Sequence, residues 1–152
     1  MQKLFKLFQV MAVMIFAGTA ANAEIVKMTP DVAREKALAG EIVLIDIRRP
    51  EEWAGTGVPD VALLVDMTSR DFLAKINAIR MQNPDIPLAF TCRTGSRSNY
   101  LTGELEKLGM SGLIDVIGGM SGSRADKGWA KRGLPIRAVN DPVNPMITVT
   151  QP

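Results

Sequence analysis

Residues 41–46 contain an unbroken apolar run, Ile42, Val43, Leu44 and Ile45, closed by Asp46. A strand with one solvated face alternates apolar and polar residues, so a continuous run belongs to a strand buried on both faces. Such strands sit in parallel sheets covered by helices. No other feature constrains the fold as strongly, and the neighbouring segments agree with it. Residues 24–28 read as a short edge strand. Thr29, Pro30 and Asp31 read as a helix start, with Thr29 as cap, proline at the first helical position and an acid in the first turn. That helix runs to about Ala39 and ends at Gly40. Residues 47–53 read as a loop with one helical turn, 55–60 as a turn-rich connection and 61–65 as another strand.

Thr68, Ser69, Arg70 and Asp71 carry a capping-box-like pattern that opens a helix to about Met81. Phe72, Leu73, Ile76 and Ile79 recur in it at helical spacing and are expected to face the core. Residues 87–90 read as a buried strand, 98–109 as a helix closed by Gly109, and 112–117 as a further strand. A flexible turn at 118–122 and a short helix at 125–132, containing Trp129, complete the pattern, and residues 134–136 close the domain. Strands alternating with helices through short turns predict one α/β domain with a parallel sheet covered on both faces. There is no internal repeat, and no linker creates a second domain.

Cys92 is the only cysteine. It falls where the strand of residues 87–90 gives way to a polar loop, Arg93, Thr94, Gly95, Ser96, Arg97 and Ser98, before the next helix. The carboxyl end of a strand is where open α/β sheets place their sites. A helix N-terminus presents unpaired N–H groups and partial positive charge, and a glycine lets successive loop N–H groups form an anion nest. With Arg93 and Arg97 beside it, a thiol in that setting is favoured as the nucleophilic thiolate. Free cysteines often serve only as small buried hydrophobes. A purely structural cysteine is expected inside the apolar run rather than at its polar edge.

Composition removes several alternatives. The chain has no histidine, which excludes Ser-His-Asp and Cys-His catalysis and histidine metal sites. A single cysteine excludes intramolecular disulfides, CxxC redox motifs and cysteine zinc clusters, so neither a metal nor a cofactor is expected. Residues 1–23 carry Lys3 and Lys6, then a short apolar stretch, then Ala21-Asn22-Ala23, an A-x-A cleavage pattern. This reads as a signal peptide rather than a stable membrane anchor, because a bilayer span needs about 20 apolar residues. The expected mature chain starts at Glu24, and the expected location is the periplasm. Removing Lys3 and Lys6 from the 18 basic residues leaves 16, equal to the 16 acidic ones. A neutral, aromatic-poor chain does not suit nucleic acid. An exposed lone thiol in an oxidising compartment is open to oxidation, so retaining one implies use.

Three separated motifs resemble the rhodanese-like (sulfurtransferase) family. Residues 44–53, from Leu44 through Asp46, Arg48, Glu52 and Trp53, resemble its D-x-R-x-x-x-E-aromatic signature. Residues 92–98 resemble its active-site loop. Val116, Ile117, Gly118 and Gly119, then Trp129 and the Gly133-Leu134-Pro135 segment, resemble its closing pattern. The resemblance spans about residues 25–137 and divides the chain into a leader (1–23), a rhodanese-like domain (24–137) and a C-terminal tail (138–152). It implies a central, mostly parallel five-stranded sheet flanked by helices on both faces. One departure is visible: the family often carries G-H-[IV]-P after the first motif, whereas residues 56–59 here read Thr-Gly-Val-Pro.

The resemblance also implies an activity. Cys92 would take sulfane sulfur from thiosulfate or a similar anionic donor as a persulfide, then pass it to a thiophilic acceptor: cyanide, a thiol or a protein. Loop N–H groups from Arg93 to Ser98 would hold the anion, with Arg93 recruiting the donor. Arg97 would either bind the anion or pair with a carboxylate. Thr94, Gly95 and Ser96 shape the loop, and the Ser96 and Ser98 hydroxyls would donate to sulfur or cap the helix, capping being the favoured role for Ser98. Asp46 and Arg48 support the loop as a pair. Glu52 and Trp53 brace it, and Trp129 is core. Cys-x5-Arg loops of phosphatases wrap a tetrahedral oxyanion; Cys92 to Arg97 is one residue shorter, which favours sulfur transfer. A non-catalytic rhodanese-like module that binds a partner or senses redox state is the alternative. A monomer is the default expectation.

Overall fold

The computed structural model describes residues 24–142. The leader at 1–23 and its cleavage pattern lie outside the described residues, as does the tail beyond Pro142.

Five strands form one sheet in the order β1-β6-β5-β2-β4: β1 (Val26–Met28), β2 (Val43–Asp46), β4 (Leu63–Leu64), β5 (Leu88–Thr91) and β6 (Leu113–Val116). Every pairing in it is parallel. The apolar run of β2 explains why the sheet is covered twice. Pleating sends Val43, Ile45 and Ile47 to one face, where they pack with Phe72, Ile76, Ile79, Leu101 and Leu105 from α3 (Phe72–Gln82) and α4 (Ser96–Lys107). Ile42 and Leu44 face the other side, against Ala33 and Ala37 of α1 (Pro30–Leu38) and Trp129 of α5 (Gly128–Lys131). The expected five-stranded α/β sheet, flanked by helices on both faces, is the fold observed.

Several local expectations are corrected. Thr68 and Ser69 do not cap α3. The Asp66 carboxylate accepts hydrogen bonds from the Thr68 N–H and hydroxyl, both at 2.8 Å, and this local turn delays the helix to Phe72. Phe72, Ile76 and Ile79 then share one buried stripe, while Leu73, one position round the helix, is 50% exposed. The helix at residues 50–56 (α2, Pro50–Thr56) runs two turns rather than one, begun by Pro50 and by Glu52, whose carboxylate accepts the Arg49 N–H at 3.1 Å. The closing helix shrinks to α5, four residues beginning at positive-φ Gly128.

The turn-rich segment after α2 hides β3 (Val58–Pro59), which pairs antiparallel with β7 (Ile136–Arg137). Here the Thr-Gly-Val-Pro departure finds its reason. Gly57 has φ +71°, and a Cβ there would lie 2.5 Å from Ile136 Cγ2 and 2.9 Å from the Arg137 carbonyl oxygen. The β3–β7 contact leaves no room for a side chain at position 57.

Candidate active site

β5 delivers Cys92 to the carboxyl edge of the sheet. Its neighbours on the same face, Leu88 and Phe90, place the sulfur on the α3/α4 side. Gly95 then turns the chain with φ +96° and acts as the N-cap of α4. The turn aims the Gly95 N–H at Cys92 Sγ, 3.1 Å away. The first N–H groups of α4, at Ser96, Arg97 and Ser98, have no partner within the helix, as at any helix start. The loop therefore directs one N–H at the sulfur and leads straight into a helix N-terminus whose first N–H groups are uncommitted within the helix.

Cys92 differs from the sequence expectation in exposure. It is 1% exposed and packs with the apolar side chains beneath α3 and α4. Ser98 differs too. The cap is Gly95, and Ser98 lies in the first turn with its Oγ 3.8 Å from Cys92 Sγ, 3.1 Å from the Gly95 carbonyl oxygen and 2.6 Å from Asp115 Oδ1. Positive-φ Gly95 takes the cap position three residues before Ser98, so the Ser98 hydroxyl lies inside the first turn and faces inward.

The two arginines part company. Arg93 is exposed and makes no ion pair among the described residues. Arg97 forks onto Glu52 of α2, donating from Nη1 to Oε2 at 2.8 Å and from Nη2 to Oε1 at 2.6 Å. That guanidinium, aided by the Arg49 N–H, pulls the Glu52 carboxyl from its usual 4.5 to about 2. The same pair raises the Arg97 guanidinium. Of the two roles open to Arg97, the geometry places it in carboxylate pairing, which ties the loop to α2. Thr94 and Ser96 line the outer side of the loop, their hydroxyls 3.4 Å apart.

Asp46 and Arg48 form a buried pair one strand away. Arg48 Nη2 lies 2.7 Å from Asp46 Oδ2, and its Nε lies 3.0 Å from both carboxylate oxygens. The rest of the guanidinium donates to Thr56 Oγ1 at 2.7 Å and to the Gly57 carbonyl at 2.9 Å. Arg48 thus spans from the end of β2 to the end of α2, the helix that also carries Glu52. Trp129 is fully buried, with Nε1 donating to the Pro135 carbonyl at 2.9 Å.

The Gly118-Gly119 turn seals the base of the loop. The Met120 N–H donates to the Cys92 carbonyl at 2.9 Å and the Ser121 N–H to the Arg93 carbonyl at 2.8 Å. At Gly119, φ +54°, a Cβ would stand 2.4 Å from the Cys92 carbonyl oxygen and 2.9 Å from the Thr94 nitrogen. Only glycine permits that approach. Sequence reasoning passed over Asp115. Its signal was a lone acid inside the otherwise apolar Leu113–Val116 strand. Among the described residues no cluster of potential ligands could hold a metal ion, and no helix is long and apolar enough to cross a membrane.

A parallel α/β sheet that presents a cysteine at its carboxyl edge, in the loop that leads into a helix N-terminus, defines the class. A family model for the rhodanese-like domain matches residues 29–126, and the chain belongs to that family. Thiosulfate sulfurtransferase 16, chloroplastic, of Arabidopsis thaliana is 34% identical over 116 residues, 70% of this chain and 88% of that protein. The polysulfide-sulfur transferase homodimer of Wolinella succinogenes is 29% identical with a TM-score of 0.57, over 83% of this chain and 88% of that one. The Rv0390 protein from M. tuberculosis is 27% identical with a TM-score of 0.59, over 73% and 96% of the two chains.

Proposed function

We infer that this protein is a sulfurtransferase that carries sulfane sulfur as a Cys92 persulfide, taking it from thiosulfate or a similar anionic donor. The observation that carries this reading is the Gly95 N–H aimed at Cys92 Sγ across 3.1 Å, at the carboxyl edge of the sheet. The thiolate attacks the outer sulfur of thiosulfate. The Cys92 S–S bond forms, the donor's S–S bond breaks, and sulfite leaves with the electron pair. The persulfide keeps one negative charge, which the Gly95 N–H and the first N–H groups of α4 meet without reorganising. Cyanide or a thiol then attacks the outer persulfide sulfur and regenerates the Cys92 thiolate. Arg93, exposed and without an ion pair among the described residues, draws the anionic donor in. Arg97 contributes through the geometry it imposes on the loop. The names of the Arabidopsis and Wolinella proteins support sulfur transfer as the chemistry.

The burial of Cys92 favours a second reading, a module that binds a partner or senses redox state without turnover. Thiocyanate formation from thiosulfate and cyanide separates the two. The sulfurtransferase reading expects turnover by the purified protein and none by Cys92→Ser; a folded wild type that forms no thiocyanate with any sulfane donor favours the module. Residues 1–23 belong to the same proposal as a cleavable export address to the periplasm. Sequencing the N-terminus of protein recovered from a periplasmic fraction should begin at Glu24.

A further inference from the structure

Asp115 is a buried acid that the sulfur-transfer steps leave unused. It stands in β6, 2% exposed, between Lys27 of β1 and Phe90 of β5 in the strand register. Its Oδ1 accepts from Ser98 Oγ at 2.6 Å, and that serine oxygen lies 3.8 Å from Cys92 Sγ. A serine hydroxyl has one proton, so the state of Asp115 decides what Ser98 offers the sulfur. With Asp115 ionised, the Ser98 proton goes to the carboxylate, a short charge-assisted bond. Ser98 then faces Cys92 with lone pairs and accepts the thiol S–H. With Asp115 protonated, its O–H donates to Ser98, and the hydroxyl proton is free for the sulfur anion or the Gly95 carbonyl.

We propose that Asp115, acting through Ser98, takes up the proton that Cys92 releases when its sulfur becomes nucleophilic. The step balances within the three residues. The Cys92 S–H bond breaks, Ser98 Oγ receives that proton, and the proton Ser98 held passes to Asp115 Oδ1. Charge moves from carboxylate to sulfur with no net change, and the repulsion between two buried anions is avoided. Asp115 is a positioning residue, since it reaches the sulfur only through Ser98. The inference rests on Cys92 being the reactive sulfur of the proposed function.

The surroundings suit the role. Burial pushes the Asp115 carboxyl upward, against the Ser98 hydrogen bond and the positive charge of Lys27. Phe90 brings no charge from β5, and α4 presents the neutral Ser96, Ser98 and Asn99 to this side. The charge facing the sulfur is Arg97, already committed to Glu52. A pocket of about 260 Å³, lined by Lys27, Thr94, Ser96, Asn99 and Asp115, connects the carboxyl with solvent and gives its proton an exit.

The test is the pH profile of Cys92 alkylation by iodoacetamide in wild type, Asp115→Asn and Ser98→Ala, each shown folded by circular dichroism. Two coupled groups release protons in two macroscopic steps. Wild type is therefore expected to show a two-step profile. Asp115→Asn should show one step, and Ser98→Ala should lose the lower step although Asp115 remains. If Asp115→Asn fails to fold, Ser98→Ala carries the test alone. A single step with the same midpoint in wild type and variants overturns the inference. So does a folded protein whose Cys92 resists alkylation at every pH. Alkylation needs no sulfur donor, so a two-step profile in a protein that forms no thiocyanate would retain the Asp115 coupling and remove the sulfurtransferase reading.

Discussion

Glu52→Gln tests whether the Cys92 loop is held by the Arg97 fork. In the folded protein the Glu52 carboxyl lies at about 2 against a usual 4.5. At about 1.4 kcal/mol per unit the difference amounts to about 3 kcal/mol of stability. Arg97 is 31% exposed, so water screens the pair and the usable figure is about 1–2 kcal/mol. The sign follows from the lowered value. The stabilisation is complete above about pH 5, declines as the unfolded-state carboxyl protonates, and is gone once pH falls below the folded value. Urea unfolding of wild type and Glu52→Gln at a series of pH values is the assay. Other carboxyls lowered by their partners, such as Asp126 beside Arg132, are common to both proteins, so the difference isolates Glu52. Wild type should exceed the variant by about 1–2 kcal/mol at pH 7, with the gap closing between pH 5 and pH 2. A gap independent of pH would refute the assignment of that stability to the ionised fork.

Three further substitutions probe the parts around the sulfur. Gly119→Ala forces a methyl group onto the Cys92 carbonyl at a positive-φ position; it should cost about 2–4 kcal/mol by thermal or urea unfolding and abolish sulfur transfer, and wild-type activity would show that the close approach is dispensable. Asp46→Asn leaves the Arg48 guanidinium buried without its anion and should destabilise by about 3–5 kcal/mol; a loss below about 1 kcal/mol would contradict a structural role for the pair. Arg93→Ala should raise the thiosulfate concentration needed for half-maximal rate with little change in melting temperature, because the side chain is exposed and makes no ion pair among the described residues. An unchanged concentration removes the recruiting role.

Sequence pattern reached the architecture because its strongest signals were local. The apolar run of β2 required two covered faces, and Gly95 and the strand before it placed Cys92 at the sheet edge. The misses came from interactions distant in sequence. Arg97 meets Glu52 across 45 positions and Ser98 meets Asp115 across 17, and no periodicity announces either contact. The burial of Cys92 is not legible in the sequence because the polar loop that follows it is tied down by the Gly118-Gly119 turn. The β3–β7 pair escaped because Val58 and Pro59 sit in a Gly- and Pro-rich segment whose composition reads as a turn, and their partner lies far along the chain.

The central claim is that Cys92 carries sulfur, and intact mass of the protein before and after incubation with thiosulfate tests it most directly, with Cys92→Ser alongside. The account predicts a gain of one sulfur atom, reversed by cyanide and absent from the variant. A folded protein with a free thiol and no gain in mass, or the same gain in Cys92→Ser, would contradict it.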